Sequence, residues 1–285
     1  MPAASDFNDR GRALALTSNY VVLVSEHLGA ALEMKGAADS YTVVPPHKYQ
    51  LHFTVGTLAG VTTMVGVDIW TAPKAGSQPL YFLPWQQNAA TSLRIPANHG
   101  PAVFMTSILS GCTVQVYGPA NNPSICHANA ANTYSQHYTN RTNMAQKMTP
   151  EQTHAFAEGW ANHATTTKID TMLPTAPPGA VCRTVRKSDY AGKLDTANLN
   201  RFQRNYAARL ATSESLTDFE VSKHGLKPRT GAFVFGLRDG TGNWEFFYQA
   251  AVDVELEVQD KFSGAPPRRM TMESAVLGQP ERFFP

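Results

Sequence analysis

Cys112 and His127 are the two residues whose types and spacing could most directly carry out chemistry. Cys112 follows Gly111 at the junction between two predicted strands, and His127 lies fifteen residues later. We predict that antiparallel strands joined by a turn at Gly118–Pro123 bring Cys112 and His127 to the same end of a hairpin. A cysteine is nucleophilic as its thiolate, which a neighbouring imidazole stabilises by becoming imidazolium. The spacing therefore indicates a Cys-His nucleophilic pair.

The residues just before Cys112 suit a substrate site. Gly111 would let a substrate approach the backbone closely, and main-chain amides near Gly111 and Cys112 could bind a developing oxyanion. Ser110 is polar and Gly111 has no side chain, and a segment that only packs in the core would not require either residue. The alternative is that Cys112 is a core residue, because cysteine is among the most buried residue types.

The cysteine count argues against a disulfide framework and against zinc. The three cysteines are few and odd in number for 285 residues, and they favour a reducing compartment. A bridge between Cys112 and Cys126 is sterically possible, but it would destroy the nucleophile. The sequence has no closely spaced cysteine pair or histidine pair of the zinc-binding kind. We therefore expect no metal, and the proposed chemistry needs no cofactor.

The elements that must position these residues are strands at both ends of the chain and helices in the middle. Runs rich in Val, Ile, Thr and aromatic residues predict strands at Tyr41–Val44, Tyr49–Gly56, Val61–Thr71, Leu80–Trp85, Ala102–Ile108, Thr113–Tyr117, Gly231–Leu237, Trp244–Ala250 and Val252–Val258. Capping signals and helical spacing predict helices at about 150–165 and 193–212. This order predicts a single α+β domain over 1–285 in which strands distant in sequence pair.

Composition excludes several classes of protein. Hydrophobic residues make up 42% and charged residues 16% of the chain, against about 25% charged in typical globular proteins, so we expect a folded globular protein. The net charge of +2 lacks the basic excess typical of nucleic-acid binding. We find no cleavable signal peptide and no apolar run long enough for a membrane span, so we expect a soluble protein without nucleic-acid partners.

The segment Leu109-Ser110-Gly111-Cys112, followed by His127, resembles the glutamine deamidase toxins. This family contains the catalytic domain of cytotoxic necrotizing factor and Burkholderia lethal factor, and its motif is Leu-Ser-Gly-Cys with a downstream histidine. The family also has a third group that orients the histidine, and the resemblance leaves open whether this is a side chain or a backbone carbonyl. Thr106, six residues before Cys112, matches a threonine of the lethal-factor pattern and is the candidate side chain. The late segment at 231–249 also looks like a C-terminal hairpin of the necrotizing-factor domain. The resemblance implies a central β-sandwich of mixed and antiparallel sheets flanked by helices, with 1–40 as an N-terminal extension.

What the resemblance implies about function is deamidation of a host protein's glutamine to glutamate by Cys112 and His127, without a cofactor. The implied target is a Rho-family GTPase or an initiation-factor RNA helicase, and the implied setting is a secreted bacterial effector in the host cytosol, with a monomer favoured. Two other classes stay open. A cysteine protease or acyltransferase could use the same pair, and a non-enzymatic β-rich binding protein would use Cys112 only for packing.

Overall fold

The computed structural model describes residues 3–27, 41–43, 48–54, 64–86, 88–97, 100–130, 150–212, 219–260 and 268–285. Its helices are a short 3-10 helix at Ala4–Asn8, α1 at Arg10–Asn19, α2 at Pro150–Met172, α3 at Lys187–Ala191 and α4 at Thr196–Thr212. Its strands are β1 Val21–His27, β2 Tyr41–Val43, β3 Lys48–Thr54, β4 Met64–Trp70, β5 Gln78–Leu83, β6 Ala90–Arg94, β7 Val103–Thr106, β8 Thr113–Tyr117, β9 Ser124–Ala128, β10 Cys182–Val185, β11 Phe219–Arg238, β12 Trp244–Asp260, β13 Arg268–Val276 and β14 Glu281–Phe284. The predicted α+β class is confirmed.

The described strands form two sheets. The larger has the order β1-β4-β3-β5-β7-β11-β12-β13, with β14 also paired to β12, and the smaller has the order β10-β8-β9-β6-β2. Three pairs are parallel, namely β1 with β4, β5 with β7, and β2 with β6. The other pairs are antiparallel, so both sheets are mixed. Neighbours such as β7 and β11 are far apart in sequence, as the α+β prediction required.

The main core lies between the two sheets. Phe104 of β7 and Val234 of β11 belong to one buried cluster with Val114 of β8 and Ile125 of β9, which joins the facing sides of both sheets. Alternation along each strand explains this, because every second side chain points to the same face. The resulting sandwich is the arrangement that the resemblance implied.

Helices cover the outer faces of the sandwich. Leu16 of α1 packs against the outer side of the larger sheet, in a cluster with Val67 and Phe235. Ile169 of α2 packs against Cys126 in the smaller sheet. Within the described residues, no helix is both long enough and apolar enough to span a bilayer.

Several predicted boundaries are wrong in an instructive way. The two strands predicted at Trp244–Ala250 and Val252–Val258 are one strand, β12, and the strand predicted at Gly231–Leu237 extends over all of β11, because the two pair along most of their length. Helix α2 continues past 165 to Met172, where Ile169 packs under the sheet. Helix α4 begins at Thr196 because the Asp195 carboxylate accepts a hydrogen bond from the main-chain N–H of Asn198 at 2.8 Å.

The sequence did not predict the 3-10 helix, α1, α3, β1, β6, β10, β13 or β14. The predicted extension at 1–40 is described in part, and its residues 4–27 are built into the fold. Strand β1 pairs with β4, and Phe7 is 1% exposed within the core cluster on the outer face of the larger sheet. Residues 28–40 lie outside the described part of the chain.

Candidate active site

The segment that carries Cys112 crosses from the larger sheet to the smaller one. It leaves the larger sheet after β7, and Leu109 exchanges main-chain hydrogen bonds of 2.8 and 2.9 Å with Ala232 of β11. Gly231 permits this close approach, because a Cβ there would lie 2.9 Å from the Leu109 carbonyl oxygen. Gly111, at φ +105°, then turns the chain into β8. Cys112 thus lies at a turn that is fixed on both sides.

Cys112 is buried, with 3% of its surface exposed. Its Sγ accepts a hydrogen bond from Asn129 Nδ2 at 3.0 Å. Burial raises the pKa of the Cys112 thiol, while the bond from Asn129 and a second one from the Ser110 backbone act in the opposite direction. Cys112 is therefore a neutral thiol, and donors that would stabilise its thiolate are already in place.

His127 lies on β9, on the same side of the smaller sheet as Cys112. It pairs with Val114 of β8, and the neighbouring pair is Thr113 with Ala128, so Cys112 and His127 are diagonal neighbours across the hairpin. Such diagonal residues are about 7 Å apart in the backbone, which is within reach of long side chains. The predicted hairpin, with its turn between β8 and β9, is confirmed, and it brings the two residues to the same end.

A hydrogen-bonded chain fixes the tautomer of His127. The Thr106 hydroxyl lies 2.7 Å from the Leu83 carbonyl oxygen and 2.8 Å from His127 Nδ1. A hydroxyl has one proton, and the Leu83 carbonyl can only accept, so Thr106 donates to Leu83 and accepts from His127 Nδ1–H. The proton of the neutral ring is therefore on Nδ1, and Nε2 carries the lone pair. The structure thus brings Thr106, one of the predicted site residues, into contact with His127.

The imidazole is held in its neutral form. His127 is fully buried, and burial lowers its pKa to about 3. Among the described residues, no group forms a hydrogen bond with His127 Nε2, although this atom is buried. A buried nitrogen lone pair without a partner costs free energy, and such a cost is commonly tolerated where the atom has a chemical role.

Tyr190 of α3 clamps the turn before Cys112. Its hydroxyl accepts a hydrogen bond from the Gly111 N–H at 2.8 Å and lies 3.4 Å from the Cys112 carbonyl oxygen, to which it can donate. Tyr190 is fully buried. This corrects part of the oxyanion prediction, because the Gly111 amide is already engaged and is not free to bind an oxyanion. Sequence reasoning missed Tyr190, which lies 79 residues beyond Gly111.

A cavity of about 250 Å³ opens beside this turn. Its walls come from the Cys112 segment, the end of β9, one face of α2 and the start of α3, namely Ser110, Gly111, Thr113, Asn129, Ala130, Asn162, Thr165, Thr166, Ile169, Arg186, Lys187 and Ser188. Cys112 is next to the wall rather than part of it. A Cβ on Gly111 would meet nothing within 4 Å, so the backbone here is open to an approaching group.

The other two cysteines are separate from this arrangement. All three cysteines are free. Cys126 is buried against α2 on the opposite side of the smaller sheet from Cys112, and burial raises its pKa to about 12. Cys182 is half-buried on β10. Of the three thiols, Cys112 alone accepts a hydrogen bond from Asn129 and lies at the end of the hairpin that also carries His127.

Replacing Thr106 by valine should weaken both the fold and the site. Valine has a similar shape but leaves the Leu83 carbonyl and His127 Nδ1–H without partners, which costs about 1–3 kcal/mol for each buried group. We expect turnover to fall roughly tenfold or more as the ring loses its orientation. Thr106→Ser, which keeps the hydroxyl, should retain most activity. Urea unfolding and steady-state kinetics of the two variants test this, and equal turnover in both would contradict it.

Comparison with solved structures gives weak similarity. No protein-family model and no curated protein matches the chain. A solved structure, the C-terminal domain of CNFy from Yersinia pseudotuberculosis, matches with a TM-score of 0.22 and 8% sequence identity over 72% of this chain. The chain spans 62% of the length of that domain. A similarity this weak does not by itself identify a family.

Proposed function

We propose that this protein deamidates a glutamine side chain of a protein substrate, with Cys112 as the nucleophile and His127 as the acid-base group. The observation that carries the proposal is the fixed tautomer of His127. A neutral ring with Nδ1–H held by Thr106 and with a free, buried Nε2 is the form that can take the proton of the Cys112 thiol.

The first half of the reaction forms a thioester. The Cys112 Sγ–H proton passes to His127 Nε2 while the sulfur bonds to the carboxamide carbon, whose oxygen takes the negative charge. The tetrahedral intermediate then expels the amide nitrogen, which leaves as ammonia with the proton from His127 Nε2. With the Gly111 amide engaged by Tyr190, we assign oxyanion stabilisation to the Cys112 main-chain N–H.

The second half hydrolyses the thioester. His127 Nε2 takes a proton from water as the water oxygen bonds to the acyl carbon. The carbon–sulfur bond then breaks, the Cys112 sulfur takes the proton back from His127 Nε2, and the carboxylic acid that is released ionises to glutamate. An amine in place of water would give transglutamination. Proton transfer in both halves uses the same two side chains, so the proposal requires no cofactor.

The cavity favours a side-chain carboxamide over a main-chain peptide bond. Its volume of about 250 Å³ is below the range of about 300–1,000 Å³ typical of small-molecule sites. A space of this size suits one inserted side chain better than an extended segment of polypeptide. It lies against Gly111 and Thr113, the residues on either side of the nucleophile. A glutamine side chain entering here would therefore meet the turn that holds Cys112.

For the target, we propose a Rho-family GTPase or an initiation-factor RNA helicase in a host cytosol, with this protein acting there as a secreted bacterial effector. In a GTPase, a glutamine that orients the attacking water is sensitive to deamidation, because glutamate there would block GTP hydrolysis. Loss of an amide donor would similarly disable a structural glutamine of a helicase.

Peptide mass spectrometry of eukaryotic cytosol tests the proposal. Lysate treated with the wild-type protein should contain glutamine-to-glutamate conversions that are absent after treatment with Cys112→Ser, and the converted protein would identify the target. Cleaved or acylated peptides would instead indicate that the protein is a protease or an acyltransferase. Unchanged peptides in several lysates would favour a binding protein.

A further inference from the structure

Asn129, just after the end of β9, is held by three hydrogen bonds. Its main-chain N–H donates to the Ala89 carbonyl at 3.0 Å, its Nδ2 donates to Cys112 Sγ at 3.0 Å, and its Oδ1 accepts from the Asn88 N–H at 3.3 Å. Because Oδ1 faces a donor, Nδ2 must face the sulfur. The carboxamide therefore has one defined orientation.

The backbone at Asn88 is shaped for this contact. Asn88 has φ +56°, the left-handed conformation that asparagine tolerates better than most residues. Among the described residues it is the one non-glycine residue with positive φ. Its N–H reaches Asn129 Oδ1 from the segment that follows β5.

The strength of the Asn129 bond depends on the charge of the sulfur. A neutral thiol is a weak hydrogen-bond acceptor, whereas hydrogen bonds to an ionised acceptor are roughly twice as strong as those between neutral groups. A donor that gains strength as charge develops lowers the barrier to reaction instead of merely stabilising the resting state. Packing alone would not require an amide N–H directed at this sulfur.

We propose that Asn129 is a catalytic residue, whose Nδ2–H stabilises the Cys112 thiolate as it forms, with the Asn88 main chain holding the carboxamide in position. This rests on Cys112 being the nucleophile of the proposed function. The hydrogen bond from Asn129 also explains how the buried Cys112 thiol can ionise when the group that takes its proton is a neutral imidazole.

The charged and titratable groups around the thiol come from β9 and from α3 with the residue that precedes it. His127 lies on β9, Tyr190 contacts the Cys112 carbonyl from α3, and Arg186 and Lys187 line the cavity opposite. A variant of Asn129 leaves all four in place. Its effect on thiol ionisation therefore reports on the carboxamide.

The test is the rate at which iodoacetamide alkylates Cys112, followed by peptide mass spectrometry across a pH series. Asn129→Asp keeps the acceptor for Asn88 but removes the donor to sulfur. We expect Cys112 to react at least about tenfold more slowly than in the wild type at neutral pH, since one unit of thiol pKa is a tenfold change in thiolate fraction. Half-buried Cys182 serves as the internal reference in every sample.

Asn162→Asp is the matched control. Asn162 lines the same cavity, and its side chain contacts Lys187 Nζ at 3.1 Å rather than the Cys112 sulfur. The control adds the same charge, and we expect Cys112 alkylation within about twofold of the wild-type rate. Asn129→Ala, which adds no charge, should also slow the reaction, and it replaces Asn129→Asp if that variant does not fold.

Unchanged Cys112 alkylation in both Asn129 variants would overturn the proposal, as would a wild-type Cys112 that does not react while Cys182 does. This outcome is independent of substrate. If Asn129→Asp slows alkylation but the wild type converts no glutamine in any lysate, the role of Asn129 in thiolate stabilisation stands and the proposed deamidase function fails.

Discussion

Cys112→Ser should abolish glutamine conversion, with a fall of roughly 10³-fold or more in turnover. Serine keeps the size of the side chain, but its hydroxyl is a far weaker nucleophile when only a neutral, buried imidazole can take its proton. The fold should be retained, because the hydroxyl can still accept the Asn129 bond. Ammonia release from the identified substrate measures the activity, and urea unfolding measures the stability.

Cys126→Ser is the matched control for this prediction. Cys126 is also a fully buried thiol, one residue before His127 on β9, but it faces α2 rather than the site. We expect it to lose some stability and to keep its activity. Full turnover by purified Cys112→Ser would refute the mechanism, and equal losses in both variants would indicate that burial, rather than nucleophilicity, explains the effect.

His127→Asn should reduce turnover by about 10²–10⁴-fold, the usual range for loss of a general acid-base group. The asparagine Nδ2–H can donate to the Thr106 hydroxyl as the ring Nδ1–H does, so the chain to Leu83 is preserved. Only the Nε2 function is lost. Steady-state kinetics test this, and a variant that retains near-normal turnover would remove His127 from the mechanism.

The same variant should change how stability depends on pH. Burial lowers the pKa of His127 from its ordinary 6.5 to about 3 in the folded protein. Between these two values the unfolded chain binds the proton and the folded chain does not, so the free energy of unfolding falls as pH is lowered through this range. One group contributes at most about 1.4 kcal/mol per pH unit, and above 6.5 its contribution is constant.

His127→Asn removes this group, so its unfolding free energy should fall less steeply with acidification than that of the wild type. Urea unfolding at several pH values between about 4 and 7 measures both slopes. Parallel slopes would show that His127 is not held neutral in the folded protein.

The placement of Cys112 and His127 at one end of a hairpin could be predicted because it depends on a single short stretch of sequence. The turn at Gly118–Pro123 sets the hairpin, and the hairpin fixes the register, so residue types and spacing along one short stretch place both residues at one end. The tautomer of His127 was harder to predict from the sequence. It depends on Thr106 facing His127 across the sandwich, and only the family resemblance pointed to Thr106.

The rest of the site depends on contacts between distant segments. Tyr190 reaches the Cys112 turn from a five-residue helix that has no periodic pattern of its own. Asn129 looks like an ordinary polar residue at a strand end until the pairing of β8 with β9 places it opposite Cys112. The length of β11 and β12 was also underestimated, since their pairing supplies stability that local propensity does not reveal.

The clamp on the Cys112 turn comes from residues that are synthesised late. Thr106, Cys112, His127 and Asn129 all leave the ribosome before Tyr190, which holds the turn, and before Ala232, which holds Leu109. A nascent chain that ends before Tyr190 contains all four residues but lacks the contacts that hold the Cys112 turn. The site can therefore assemble only after the second half of the chain, as far as β11, has been synthesised.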